Sequence, residues 1–149
     1  ALREGGDQHA QAEAERGAIP DVRLLRVRLL FDGGQCDRAW DLLCDYSLDD
    51  FDSNGQLEYL YRMGRVSHCR GYLLLAPVYY GQVIQLGADD DHYFACHAAL
   101  QVGRVYEELG ELAESEKYYR RCLELHPEEY ARYLHTQAKA GLERVSKSK

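Results

Sequence analysis

The sequence predicts an all-α fold of paired helices packed side by side, and three observations carry that prediction. Apolar residues recur at three- and four-residue steps through most of the chain, which places them on one face of a helix. Gly34, Gly71 and Gly110 stand 37 and 39 residues apart, each between two such stretches. Small residues stand at Ala99, Gly103 and Ser115, where the last two of these stretches can approach closely.

The clearest pair runs from Tyr93 to Pro127. Ala95, Ala98, Ala99, Val102, Gly103, Val105 and Tyr106 share a face. Leu109 and Gly110 end that helix, because glycine relaxes into the left-handed conformation that a helix end favours. The returning helix carries Leu112, Ser115, Tyr118, Tyr119, Cys122, Leu123 and Leu125. Pro127 closes it and is expected to open a last helix with Glu128 and Glu129 in its first turn, where carboxylates meet the positive end of the helix dipole. That helix is expected to run over 128–145, with Ala131, Leu134, Ala138, Gly141 and Leu142 inward, and the polar tail 146–149 to fray.

Earlier segments are looser copies. Residues 1–20 read as a tail or the remnant of a preceding helix, with no apolar stripe. Pro20-Asp21 opens a helix that ends at Gly33-Gly34, and Cys36 to Cys44 returns with Ala39, Trp40 and Leu43 inward. Asp45 to Gly55 is an acidic connection rich in turn formers. Gln56 to His68 follows, with Leu60, Met63, Gly64 and Ser67 inward, and a helix over Tyr72 to Leu86 returns. Gly87 to Asp91 is an acidic loop in which Asp90 or Asp91 can cap the next helix.

The spacing Val102-Gly103, Tyr106, Gly110, Ser115, Tyr119, Cys122, Pro127 resembles a tetratricopeptide repeat, whose pattern has Leu-Gly, Tyr, Gly, Ala, Phe, Ala and Pro at those places. A second copy is anchored by Met63-Gly64, Gly71, Ala76, Tyr80 and Val83, with Ala88 in place of the closing proline. A third matches at Gly34, Ala39 and Leu43, with Arg26-Val27 where Leu-Gly is expected. The resemblance covers Asp21 to Val145 and looks closest to the C-terminal part of longer bacterial tetratricopeptide proteins. It implies a right-handed α-solenoid of about three hairpin units (21–54, 55–90 and 91–127) with a capping helix, 128–145. It also implies a non-catalytic scaffold or adaptor that holds a partner protein or peptide in a concave groove.

Composition narrows the partners. A hydrophobic fraction of 46% suits a packed core. The net charge of −7 argues against nucleic acid, which wants a basic field. No run of about 20 apolar residues occurs, so no segment is expected to span a bilayer. The chain starts with Ala1 rather than Met, so a processed or shortened chain is expected; cytoplasmic and periplasmic locations both fit, the latter if an export signal was removed. No cofactor is expected, and no GxSxG, HExxH or P-loop motif occurs. His92 and Cys96 could supply two zinc ligands from one helix, but no second pair has suitable spacing. Cys36, Cys44, Cys69, Cys96 and Cys122 are odd in number with no CxxC, and read as free, mostly buried thiols.

Two surfaces are candidates for binding. When the three hairpins are aligned on their turn glycines, Leu24-Arg28, Tyr61-Arg65 and Leu100-Arg104 fall in the same register, each an apolar residue four before an arginine. By the resemblance this face lines the groove, and Phe31, His68 and Glu107 extend it by a turn. Arginines can hold carboxylates bidentately while Leu and Tyr take apolar side chains, which suits an acidic peptide. The plainer alternative is that each arginine pairs within the fold, Arg104 with Glu107 or Glu108. The second surface is Tyr72 to Tyr80, with Leu74, Leu75, Val78 and Tyr79 as its candidate contacts; Leu75 and Pro77 stand where the next repeat has Glu114 and Glu116. It requires a cover: another part of the chain, a partner, or a second copy in a homodimer.

Overall fold

The computed structural model describes residues 21–87 and 92–148, and among them the fold is all-α, with seven α-helices, one short 3₁₀ helix and no strand. The helices are α1 (Val22–Asp32), α2 (Cys36–Cys44), α3 (Ser53–Cys69), α4 (Ala76–Gly87), α5 (Tyr93–Glu108), α6 (Leu112–Glu124) and α7 (Ala131–Ser148). The 3₁₀ helix, Leu48–Asp50, lies between α2 and α3. The expectations for residues 1–20, for the loop 88–91 and for capping by Asp90 or Asp91 lie outside the described residues. Residue 92 supplies the N-cap position of α5: His92 has φ 69° and makes no side-chain cap, while its Nδ1 accepts from the His126 N–H at 3.1 Å.

Three turns share one geometry. Gly34, Gly71 and Gly110 have φ of 78°, 81° and 76°. Each is followed by an N–H that reaches back five residues: Gln35 to Leu30, Tyr72 to Ser67 and Glu111 to Tyr106, at 2.8–2.9 Å. This bond satisfies a carbonyl left over at the helix end, and it requires the left-handed residue that glycine supplies without a steric cost. The helix starts are set by local chemistry too. Asp21 accepts from the Arg23 N–H, and Asp52 from the Gly55 N–H, each filling a donor at the N-terminus.

Five residues after each turn glycine stand Ala39, Ala76 and Ser115, all fully buried. Ser115 Oγ donates to the Gly103 carbonyl at 2.7 Å. Nine residues after the glycines stand Leu43, Tyr80 and Tyr119, also fully buried. The Tyr80 ring fills the space over Gly64, and the Tyr119 ring fills the space between Gly103 and Gly141. Packing runs in sequence order: α1 touches α2 and α3, α3 touches α4 and α5, and α5 touches α6 and α7. One apolar cluster joins α1 to α5 around Leu24, Val27, Leu43, Val66, Tyr80 and Val83, and a second joins α5 to α7 around Leu100, Tyr119, Leu125 and Leu134.

Several boundaries differ from those expected. The return helix starts at Ala76 rather than Tyr72; Tyr72 to Leu75 form a turn, with the Ala76 N–H bonded to Tyr72 O at 3.0 Å. Pro77 then sits in the first turn, where a missing N–H is least costly. The last helix starts at Ala131 rather than Glu128, because Tyr130 takes φ 62° and separates Glu128 and Glu129 from the helix. At its other end the helix continues through Ser148 instead of fraying at 146. Lys147 pairs with Glu143 at 3.0 Å, and Ser148 Oγ donates to Arg144 O at 3.0 Å.

The cysteines are not all free. Cys36 and Cys69 form a disulfide with Cα atoms 6.4 Å apart, which corrects the expectation of five thiols. The reason is lateral: Cys36 opens α2, Cys69 closes α3, and the two helices are in contact at that edge. Cys44 is an exposed thiol, whereas Cys96 and Cys122 are buried with their sulfurs 3.6 Å apart. The hydrogen bond to Cys122, with burial, pushes the Cys96 thiol far above its ordinary pKa and keeps it protonated.

Candidate functional site

The arginine register brings three of its members together. Arg65 and His68 on α3 and Arg104 on α5 line an open recess of about 390 Å³, with Phe31 from α1, Cys69, Gln101 and Glu108. Phe31 and Cys69 come from helix ends that meet at the disulfide edge, while Gln101 and Glu108 lie one turn either side of Arg104 on α5.

The other members of the register are not available to a ligand. Leu24 and Leu100 are each 1% exposed, Tyr61 is 6% exposed and Arg28 is 4% exposed. Leu24 and Leu100 belong to the two apolar clusters, and the Tyr61 ring packs among Tyr80, Phe94 and His97. These four positions are therefore part of the packing between successive helices and not the lining of a groove. Gln101 was missed by the sequence reading, and Glu108 was read only as a partner for Arg104 and not as a lining residue. Their signal was available, since both lie one helical turn from Arg104, on the side that faces α3.

Charge in the recess is unequally satisfied. Glu108 Oε1 lies 2.7 Å from His68 Nε2 across the opening. Glu107 is taken by Arg144, at 2.9 and 3.2 Å, and by the Tyr119 hydroxyl at 2.6 Å. The Arg144 guanidinium, then the Tyr119 hydroxyl, hold the Glu107 carboxyl below its usual pKa, and burial acts against them. Burial in turn, together with Glu107, pushes the Tyr119 phenol up to about 12. Both carboxylates expected to neutralise Arg104 are thus engaged elsewhere. Arg104 is half-buried and its Nη2 donates to Gln137 Oε1 at 3.1 Å. Arg65 is half-buried, with its guanidinium 4.9 Å from the centre of the Phe31 ring. Among the described residues neither arginine has a carboxylate within ion-pair distance. Burial acts to lower the Arg65 pKa, but the charges of Asp32 and of ionised Tyr61 and Tyr80 outweigh it, and the net direction is upward.

The Tyr72 to Tyr80 segment presents an apolar surface. Leu74 is 80% exposed and Val78 53%, while Leu75 and Tyr79 are half-buried. Tyr72 stands edge-on to Trp40, and the Arg70 guanidinium lies over both rings. The two zinc-ligand candidates are separated: His92 turns to the His126 backbone and Cys96 is buried against Cys122. No group of three potential metal ligands occurs among the described residues. No helix among the described residues is long and apolar enough to cross a membrane. Comparison with family models, with curated proteins and with solved structures finds no match to this chain.

Proposed function

We propose that this chain is a tetratricopeptide-like, right-handed α-solenoid that acts as a non-catalytic adaptor and holds an acidic peptide segment of a partner protein at the Arg65–Arg104 recess. The repeat reading is supported by the three matching glycine turns and by the shared register of Ala39, Ala76 and Ser115. The observation that carries the functional reading is that Arg65 and Arg104 line one opening, half-buried, with no ion-pair partner among the described residues. A half-buried guanidinium with no carboxylate in direct contact gains more from one than a fully solvated guanidinium does, and its planar donors grip two oxygens at once. Phe31 supplies an apolar side to the same opening, suited to the stem of a neighbouring residue. Isothermal titration of an alternating glutamate–leucine hexapeptide tests this reading. Binding that weakens about tenfold or more on Arg104→Gln, with the fold unchanged, supports it. Equal binding by both proteins removes the recess from the account.

A second reading has its own observation, the 80% exposure of Leu74 beside Val78. On it the chain is an oligomerisation module that pairs through this surface. Light scattering across a concentration series separates the two: a dimer abolished by Leu74→Glu favours the module, and a monomer at all concentrations excludes it.

A further inference from the structure

The disulfide was absent from the sequence reading, and it stands at the wall of the recess, since Cys69 is one of the lining residues. We propose that Cys36–Cys69 is a thiol–disulfide exchange site, opened by a low-molecular-weight thiol that attacks Cys69 and expels Cys36, and that its opening loosens the α1–α2 hairpin from the recess.

Access and leaving-group chemistry give the step its direction. Cys69 is exposed and Cys36 is half-buried, so an incoming thiolate reaches the Cys69 sulfur first. Cys36 is the first residue of α2, where unpaired N–H groups and the helix dipole stabilise a thiolate. A sulfur whose thiol is the more acidic leaves faster. Asp37 would oppose a neighbouring thiolate, but Arg70, next to Cys69, pairs with it at 3.4 Å. The step balances. The thiolate RS⁻ forms an RS–S bond to Cys69 as the Cys69–Cys36 bond breaks and its electron pair departs on Cys36. A second RS⁻ then attacks that mixed disulfide, giving RSSR and the Cys69 thiolate, and both cysteine thiolates take protons from water. The external thiol is oxidised and the protein disulfide reduced, two electrons in all.

The consequence follows from position. The bond ties the start of α2 to the last turn of α3, which carries His68 and lies one turn beyond Arg65. Phe31, at the end of α1, lies against the Arg65 guanidinium. Without the bond, the hairpin keeps its apolar packing through Leu24 and Leu43 but loses its fixed edge beside the recess. The effect on ligand binding rests on the reading of the recess proposed above.

The test uses the full chain carrying Cys44→Ser, which removes the exposed free thiol. Brief exposure to glutathione, acid quenching, maleimide labelling and peptide mapping report which sulfur carries the adduct. Glutathione on Cys69 with maleimide on Cys36, in about tenfold excess over the reverse, is expected. Equal or reversed labelling, or no reaction, overturns the proposal. Amide hydrogen exchange of the oxidised and reduced forms is read in parallel and needs no substitution in the bond itself. Faster exchange confined to α1, α2 and the end of α3 supports the proposal, and unchanged or uniformly faster exchange contradicts it. The glutamate–leucine hexapeptide is added last. If it binds neither form while exchange is localised, the recess reading fails and the exchange site stands. If it binds both forms equally and exchange is unchanged, the exchange site fails and the recess reading stands.

Discussion

Gly103 lies so close to the Tyr119 ring that a Cβ added there would stand 2.6 Å from Tyr119 Cδ1. Gly141, on α7, meets the other side of the same ring, with a Cβ at 2.4 Å from Cζ. One aromatic side chain thus sets the separation of α5, α6 and α7. The contact is backbone against ring, so an added methyl cannot be absorbed by rotation of a flexible side chain. Gly103→Ala is expected to destabilise the fold by about 1–3 kcal/mol, the ordinary cost of overpacking, as measured by urea unfolding. An unchanged midpoint would mean that the ring is free to move.

Tyr80 and Tyr119, both fully buried, should respond differently when their hydroxyls are removed. Tyr119 Oη donates to Glu107 at 2.6 Å, whereas Tyr80 Oη is buried with no hydrogen-bond partner among the described residues. Tyr119→Phe loses a bond to a charged acceptor and is expected to cost about 1.5–3 kcal/mol. Tyr80→Phe removes a desolvated, unsatisfied group and is expected to be neutral or stabilising. Thermal unfolding of the pair decides it, and equal losses would contradict the assignment.

The disulfide joins residues 33 apart in sequence. In the chain-entropy account, a loop of that length restricts the unfolded state by about 3–4 kcal/mol. Denaturant unfolding with and without a reductant is expected to show a loss of that order, with the helical content of the folded state retained. The double variant Cys36→Ser/Cys69→Ser should unfold like the reduced protein and be insensitive to reductant.

Glu107 gives the acid limb a specific contributor. Its folded-state pKa is depressed, chiefly by Arg144, so its contribution is present above the unfolded-state pKa of about 4.3 and is lost as pH falls through the lower folded value. The group is partly solvated, so the contribution is expected to be below about 1 kcal/mol. Glu107→Gln should flatten the dependence of stability on pH below about 4.3. A slope identical to the parent's would show that the pair with Arg144 contributes nothing.

Much of the helical framework was legible because its signals are local. Gly34, Gly71 and Gly110 announce turns between helices, and Gly103 and Ser115 announce close helix approach, each within a few residues of its cause. The site was legible only in part. Leu24, Tyr61 and Leu100 share a helix face with Arg28, Arg65 and Arg104, but periodicity cannot say how tightly the next helix covers that face. The apolar side chains and Arg28 are buried by it, and at Arg65 and Arg104 the long stem carries the charge out to the opening. The Cys36–Cys69 bond was illegible because it depends on the lateral meeting of α2 and α3, which no spacing along the chain encodes. The boundary at Ala131 was misplaced for a related reason, since the left-handed Tyr130 carries no residue-type signal of the kind glycine gives.

The central claim is that Arg65 and Arg104 together receive a carboxylate. Nitrogen-15 resonances of the arginine Nε–Hε groups read this directly during titration with the glutamate–leucine hexapeptide. Arg65 and Arg104 are expected to shift together along one saturable curve, with Arg120 and Arg121, which are paired to Glu116 and Glu124, unmoved. If Arg65 and Arg104 stay still while the peptide binds elsewhere, or if every arginine drifts without saturating, the recess is not the binding site.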